Sequence, residues 1–266
     1  LKAGIIAAGD GSRLRSEGVL SLKPLVEVKG VPLIERLISS YIRGGIDEIV
    51  CIVNESSLEV KRFVESKGFS IPVTFVVQTT PSSMHSLFAL APHLMEGRFL
   101  LSTVDSIFHP GEFARYLEYA RSSEAGEGVL AVTSFIDDEN PLYVQLDESW
   151  NILGFGKKKD PAELKAKGPD RAGRPSEAGS RAGVCGGGRT AAPLESPWVT
   201  GGLYVLSPGI FSEIETVLKQ GMNRLRNFLA HLVERGYRLE GFPFSRIIDV
   251  DHADDIRAAE ELLNTA

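Results

Sequence analysis

Four short apolar runs, spaced by segments of helical period, constrain this chain more than any other feature. They are "AGIIAA" (3–8), "EIVCIV" (48–53), "VTFVV" (73–77) and "RFLLSTV" (98–104), and they show little alternation of apolar with polar residues. A strand that is apolar on both faces is covered on both faces, as in a parallel sheet flanked by helices. Between the runs, Pro32–Arg43, Leu58–Ser66, Met84–Leu94 and Glu112–Ser122 carry helical spacing. Gly44 and Gly68 stand where helix C-caps belong, and Pro32 suits a first helical turn. This succession predicts an α/β fold: a Rossmann-like, mostly parallel central sheet with helices on both faces and right-handed crossovers.

After about residue 128 the rhythm changes. "GVLAVTSF", "LYVQLD", "NILGFG" and "WVTGGLYVLS" read as strands with few helices between them, so a mixed or antiparallel extension of the sheet is expected. Helical patterns return at Pro208–Leu218 and Arg224–Arg235. A strand at Leu239–Phe244 and a helix at Ala253–Leu263 close the chain. A single domain over 1–266 follows, in two halves, 1–127 and 128–266. The stretch 157–197 stands apart, being rich in Gly, Ala, Ser and Pro and poor in large apolar residues. It cannot bury enough surface to offset its ordering entropy. Two readings stay open there: a mobile insertion, or a lid over anionic substrates, since its basic residues outnumber its acids.

Composition excludes several classes. The net charge of −6 gives no reason to expect nucleic acid or an acidic membrane surface as partner. No signal-peptide pattern and no apolar run of 18 residues is present, so a cytoplasmic protein without a membrane partner is expected. The two cysteines, Cys51 and Cys185, suggest neither a bridge nor a metal motif. Nothing in the sequence sets the oligomeric state.

The first apolar run breaks into "AAGDGSRLR". In open parallel sheets ligands bind beyond the carboxyl ends of the strands, and this turn falls there. Gly9 and Gly11 can adopt positive φ and let backbone amides approach phosphate oxygens. Arg13 adds a permanent cationic fork suited to phosphate. A purely structural turn is the plainer alternative. A dinucleotide loop wants a third glycine where Leu14 stands, which disfavours a nicotinamide-dependent oxidoreductase. A Walker loop wants Gly-Lys-Ser/Thr at its end, and that is absent. Downstream, Lys23 precedes Pro24 and is pushed toward extended backbone, a loop or short strand rather than a helix.

Together, Gly9-Asp10-Gly11-Ser12-Arg13-Leu14 and, ten residues after the arginine, Lys23-Pro24-Leu25 resemble the signature of the sugar-phosphate nucleotidyltransferases. "VPLIERLI" is similar to that family's next helix. The resemblance implies an enzyme that joins an NTP to a sugar 1-phosphate or related phosphomonoester and releases pyrophosphate, with Mg²⁺ as cofactor. Residues 1–127 would form the nucleotide half and 128–266 the acceptor half. Arg13 and Lys23 would act at the reacting centre. Ala8, Gly9, Asp10, Gly11 and Ser12 would line the triphosphate. Asp105, just past the fourth apolar run, and Asp251 or Asp249 in "IIDVDHADDI" would hold the metal, with Asp251 favoured over Asp249 as the closer ligand. Plainer roles for these acids are strand-end caps and solvated turns. Asp254 and Asp255 are better explained by the start of the last helix.

Gln78 and Ser83 could hydrogen-bond a base edge. The family often has Gly-Thr-Ala where this chain has Ser82-Ser83-Met84-His85-Ser86, so the base stays open. Thr200, Gly201 and Gly202 resemble the family's acceptor-side strand, and Lys157 is the most plausible acceptor-side lysine. Trp198 can stack on a sugar or simply pack. The alternative to an enzyme is a nucleotide-binding or regulatory module without turnover.

Overall fold

In the computed structural model of the chain, residues 1–9, 11–122, 126–137, 139–156 and 197–264 are described. Asp10, Lys157, Cys185 and nearly all of the 157–197 stretch lie outside them.

The parallel half of the sheet is built from β1 (Lys2–Ile6), β4 (Glu48–Val53), β5 (Val73–Val77) and β6 (Phe99–Thr103), in the order β5-β4-β1-β6 with every pair parallel. Two short strands, β2 (Glu27–Val28) and β3 (Val31–Pro32), form a separate hairpin. A third pair forms from β7 (Ser106–Phe108) and β13 (Ile247–Asp249). The mixed extension follows from β8 (Gly128–Thr133), β9 (Tyr143–Leu146), β10 (Ile152–Gly156), β11 (Trp198–Leu206) and β12 (Leu239–Phe244). Strand β11 runs antiparallel to β6 and is the seam of the molecule; it also pairs antiparallel with β8 and β9.

Neighbouring strand residues leave for opposite faces, and both faces are filled. Ile5 and Leu100 pack on one face with Tyr41, Phe113 and Tyr116, while Ile6 and Leu101 pack on the other with Met84, Leu87 and Phe228. Helix α2 (Leu33–Arg43) shows how the sequence drives this. Its Leu33, Ile34, Leu37, Ile38 and Tyr41 recur at helical spacing and all are buried. Each such side chain contributes about 1.5–3 kcal/mol on burial. A third, smaller cluster joins Leu14 to Val26, Val28, Ile248, Val250 and Leu262. It docks the short α1 (Ser12–Ser16) and the last helix, α8 (Ala253–Leu262), against β13. The remaining helices are α3 (Leu58–Lys67), α4 (Ser83–Leu90), α5 (Pro110–Arg121), α6 (Ile214–Lys219) and α7 (Leu225–Glu234).

Four expectations need correction. Pro32 does not open the helix; it ends β3, with ψ 142°, and acts as N-cap. The α-helix expected to reach Leu94 stops at Leu90 and gives way to a 3₁₀ turn, because Pro92 has no amide to continue the ladder. Pro208–Glu213 is 3₁₀ and only Ile214–Lys219 is α-helical. Lys23 is not extended. It begins a single 3₁₀ turn, Lys23–Leu25, closed by the Leu25 amide donating to the Leu22 carbonyl; the extended residue is Val26, which follows the turn with ψ 133°.

Candidate active site

The first turn after β1 is shaped by its contact with the second. Gly11 sits at φ 57°, ψ 34°, in the left-handed region, and caps α1. A Cβ on Gly11 would lie 3.0 Å from the Lys23 Cβ, so a larger residue would push the two turns apart. Gly9 differs from the expectation. It stays outside the left-handed region, and a Cβ there would meet none of the described residues within 4 Å. Packing among the described residues therefore sets no demand for glycine at position 9. Ser12 is the first residue of α1, and the Ala8 carbonyl accepts a hydrogen bond from Asn54 Nδ2 at 3.3 Å.

The sequence-nominated charges converge. Lys23 Nζ donates to both Asp105 Oδ2 and Asp251 Oδ1. Arg13 Nη1 donates to Asp251 Oδ2 at 2.6 Å. Lys23 and Asp105 are enclosed, with side chains only 10% and 16% exposed, whereas Arg13 is 45% exposed. Burial alone pulls the Lys23 ammonium down, but Asp105 and Asp251 more than reverse this and hold it charged. Burial raises the Asp105 carboxyl, and its contact with Lys23 overcomes that and leaves it below the usual range.

The two later acids divide their tasks. Strand β13 pairs Asp249 with Ser106 of β7, and Ser106 Oγ donates to Asp249 Oδ1 at 2.8 Å. Burial and the nearby Asp105 charge push Asp249 up to about 7. Asp251 lies beyond the strand and takes the cations. Asp255 Oδ2 fixes this corner by accepting from the amides of Asp251 (2.9 Å) and His252 (2.6 Å), the N-terminal role expected for it.

The residues suit a hard cation shared with a phosphate. All donors are carboxylate oxygens, and Asp105 Oδ1 is buried without a well-formed hydrogen bond. The Lys23 ammonium already bridges two of the acids, as a stand-in cation would. Among the described residues no three His, Cys, Asp or Glu side chains are placed to hold an ion alone. Phosphate oxygens would have to complete the shell.

Gly202, at φ 74°, lies in a register break of β11 between Thr200 and Tyr204. A Cβ there would come within 2.5 Å of Ser106 Oγ, and one on Gly201 within 2.2 Å of Ile247. The glycine pair thus lets β11 press against the β7–β13 pair that carries Asp249. Beside it opens a cavity of ≈ 370 Å³. Ser83, Thr103 and Asp105 line it from the first half. Thr200, Gly202, Tyr204 and Asp249 line it from the second.

Two further cationic residues line this cavity and were missed in the sequence: Arg224, the N-cap of α7, and Arg226 in its first turn. Arg226 Nη2 donates to the Asn140 carbonyl at 3.1 Å. Two arginines at a helix N-terminus oppose the helix dipole, which is the signal that could have flagged them. Gln78 is exposed at the carboxyl end of β5, with its amide bonded to Val53. His85 Nδ1 meets Ser82 Oγ at 2.9 Å within the first turn of α4. Trp198 packs edge-on to Trp150.

Comparison with known proteins assigns the family and the fold. A family model described as nucleotidyl transferase matches residues 2–265. The glucose-1-phosphate cytidylyltransferase of Salmonella typhimurium is 26% identical, over 81% of this chain and 78% of its own length. The bifunctional IPC transferase and DIPP synthase of Rubrobacter xylanophilus is 31% identical over 56% of this chain but only 32% of its own length. The chain spans less than half the length of the first curated relatives it matches. The solved inositol-1-phosphate CTP transferase of T. maritima superposes with a TM-score of 0.72 at 19% identity, over 99% of this chain and 96% of that one. That likeness establishes the fold.

Proposed function

Since the chain belongs to the nucleotidyl transferase family, we propose that it transfers a nucleotidyl group from an NTP to the phosphate of a sugar or similar alcohol phosphate. Pyrophosphate is the second product. The observation that carries this reading is the meeting of Arg13, Lys23, Asp105 and Asp251 at the carboxyl edge of the sheet, beside a cavity bearing Arg224 and Arg226.

The reaction brings two polyanions together, and the residues answer that problem. Arg13 and Lys23 exchange their carboxylate partners for oxygens of the triphosphate. Backbone amides of Gly9, Gly11 and Ser12 are further donors to the same group. Arg224 and Arg226 hold the acceptor phosphate across the cavity and align one of its oxygens with the α-phosphorus. That oxygen is largely ionised at neutral pH, because its second pKa is about 6, so no general base is needed. It forms the new P–O bond as the bond from the α-phosphorus to the bridging oxygen of pyrophosphate breaks. Asp105, Asp249 and Asp251 would hold Mg²⁺, which supplies charge neutralisation at the reacting phosphates. No helix among the described residues is long and apolar enough to cross a membrane. A soluble substrate pair of this kind suits a cytoplasmic setting.

The test is pyrophosphate release and product mass across CTP, UTP, dTTP, GTP and ATP, each paired with sugar 1-phosphates and inositol phosphates. One donor–acceptor pair should stand out, and EDTA should abolish it. A folded protein that releases no pyrophosphate with any pair would overturn the reading.

A further inference from the structure

Helix α1 carries Arg13 but has only five residues and no side-chain N-cap. A helix that short does not hold its own shape in water. Two anchors hold it here. Leu14, 1% exposed, packs into the small apolar cluster with Val250 and Leu262. The second anchor is polar. Glu17, the C-cap residue of α1, reaches the N-terminus of α8: its Oε2 accepts from the Ala253 amide at 2.7 Å, and its Oε1 meets His252 Nδ1 at 2.6 Å.

The amide accounting around Asp251 shows what this clasp does. The amides of Asp251 and His252 go to Asp255, and that of Ala253 goes to Glu17. The backbone that presents Asp251 is therefore fixed from within α8 and from α1 at once. On α1 itself, Arg13 reaches Asp251 from four residues before Glu17. The turn that would meet the nucleotide and the corner that presents Asp251 are joined twice, once through Arg13 and once through Glu17. If Arg13 leaves Asp251 for a phosphate, Leu14 and Glu17 still tie the turn to α8.

We propose that Glu17 is a positioning residue: its clasp on His252 and Ala253 holds the Arg13 turn in register with Asp251 while the Arg13 side chain changes partner. This rests on the proposed function, and it assigns a role to a residue that touches no substrate. The negative charge of Glu17 also suits the N-terminus of α8. Removing the clasp should loosen α1 more than α8, because α8 keeps Ala259, Leu262 and Ile256 in the apolar cluster while α1 keeps Leu14 there.

The experiment compares Glu17→Ala, Glu17→Gln and His252→Asn with the unmodified protein, on the donor–acceptor pair found in the screen. Glu17→Ala should raise the KM for the NTP about tenfold and lower kcat several-fold, with the acceptor KM within about twofold. Glutamine keeps an oxygen for the Ala253 amide and offers an amide to the imidazole, so Glu17→Gln should recover to within about threefold. His252→Asn removes the imidazole partner and should show a weaker version of the same KM pattern. Hydrogen exchange over residues 11–18 should speed up in Glu17→Ala. Faster exchange with an unchanged NTP KM would overturn the proposal, as would equal rises in both KM values. Should Glu17→Ala fail to fold, the pattern in Glu17→Gln and His252→Asn decides, and KM values equal to the parent in His252→Asn would overturn it. A parent protein that turns over no pair defeats the function and not the clasp; NTP binding by calorimetry then gives the same comparison.

Discussion

The two halves of the molecule place their functional groups by different means. In the first half, the groups follow directly from the ends of regular strands. Gly11 and Arg13 come after β1, and Asp105 comes two residues after β6. In the second half they hang on irregularities: the positive φ of Gly202 inside β11, the three-residue strand that ends in Asp249, and the start of α7. A parallel sheet with crossovers needs long connections, so its carboxyl edge is open and every strand end is available for a ligand. The mixed half reaches the same edge by another route, with a register break in β11 where its glycine pair presses against the β7–β13 pair. The first half is a frame with a site at its edge. The second is a set of local distortions made to meet that site.

If the first half carries the reacting centre, its acids and cations should show the largest effects. Asp105→Asn keeps shape and removes a charge, and turnover should fall about 10³-fold while the NTP remains bound. Lys23→Ala should do nearly as much. It should also destabilise the ligand-free protein by about 3–5 kcal/mol, since the partly buried Asp105 and Asp251 then lose their shared cation. The double variant should recover part of that loss in thermal melts, because neither charge is then left alone. A Lys23→Ala protein with unchanged melting temperature would show that the Lys23–Asp105–Asp251 contact is not formed in solution.

What was legible in the sequence follows the same division. The parallel frame could be read from its apolar runs and the helical spacing between them, and Arg13 and Asp105 stand out because each follows such a run; Lys23 stands out beside Pro24, and the roles of all three come through the family resemblance. The convergence of Lys23 with Asp251 could be expected only through the family resemblance. The β7–β13 pair was not legible, since three-residue runs carry no periodicity. Its consequence, the enclosure of Asp249 beside Asp105 that pushes its carboxyl up, was hidden with it. Arg224 and Arg226 stand at the start of a helical pattern, and only their conflict with the helix dipole marks them in the sequence. Glu17 was invisible for a different reason: its partner His252 lies 235 residues away, and no local pattern marks such a contact.

The second half is expected to govern the acceptor. Arg224→Ala and Arg226→Ala should each raise the acceptor KM about ten- to thirtyfold and leave the NTP KM nearly unchanged. The Arg226 change should be the milder, because part of that side chain is already engaged with the Asn140 carbonyl. Initial-rate kinetics with both substrates varied would check this. Equal effects on the NTP would erase the functional boundary between the halves.

Asp249 lies between the halves and gives a pH test. Its carboxyl is pushed up to about 7 by burial and by Asp105. Below that pH it holds a proton that a bound cation must displace. Affinity for Mg²⁺ with NTP should therefore rise from about pH 6 to about pH 8, by up to about tenfold, and then level off. Asp249→Asn should flatten the profile. A rise that persists in that variant would assign the proton elsewhere.

The smallest expected effect compares two buried tyrosines, one in each setting. Tyr41 on α2 donates to Ser102 Oγ of β6, a hydroxyl that can rotate toward another partner. Tyr116 on α5 serves two backbone groups in the antiparallel seam: its hydroxyl donates to the Val129 carbonyl and accepts from the Val205 amide, both at 2.8 Å. Both rings are fully buried, so replacement by phenylalanine keeps the packing and isolates the hydroxyl. Tyr41→Phe should cost about 1 kcal/mol, the loss of one adaptable hydrogen bond, and Tyr116→Phe about 2 kcal/mol, because a backbone amide and a carbonyl are left buried without a partner. Denaturant melts of the two variants measure the difference directly. Equal costs would mean that the seam closes over the gap and that the second half is less dependent on its local distortions than its geometry implies.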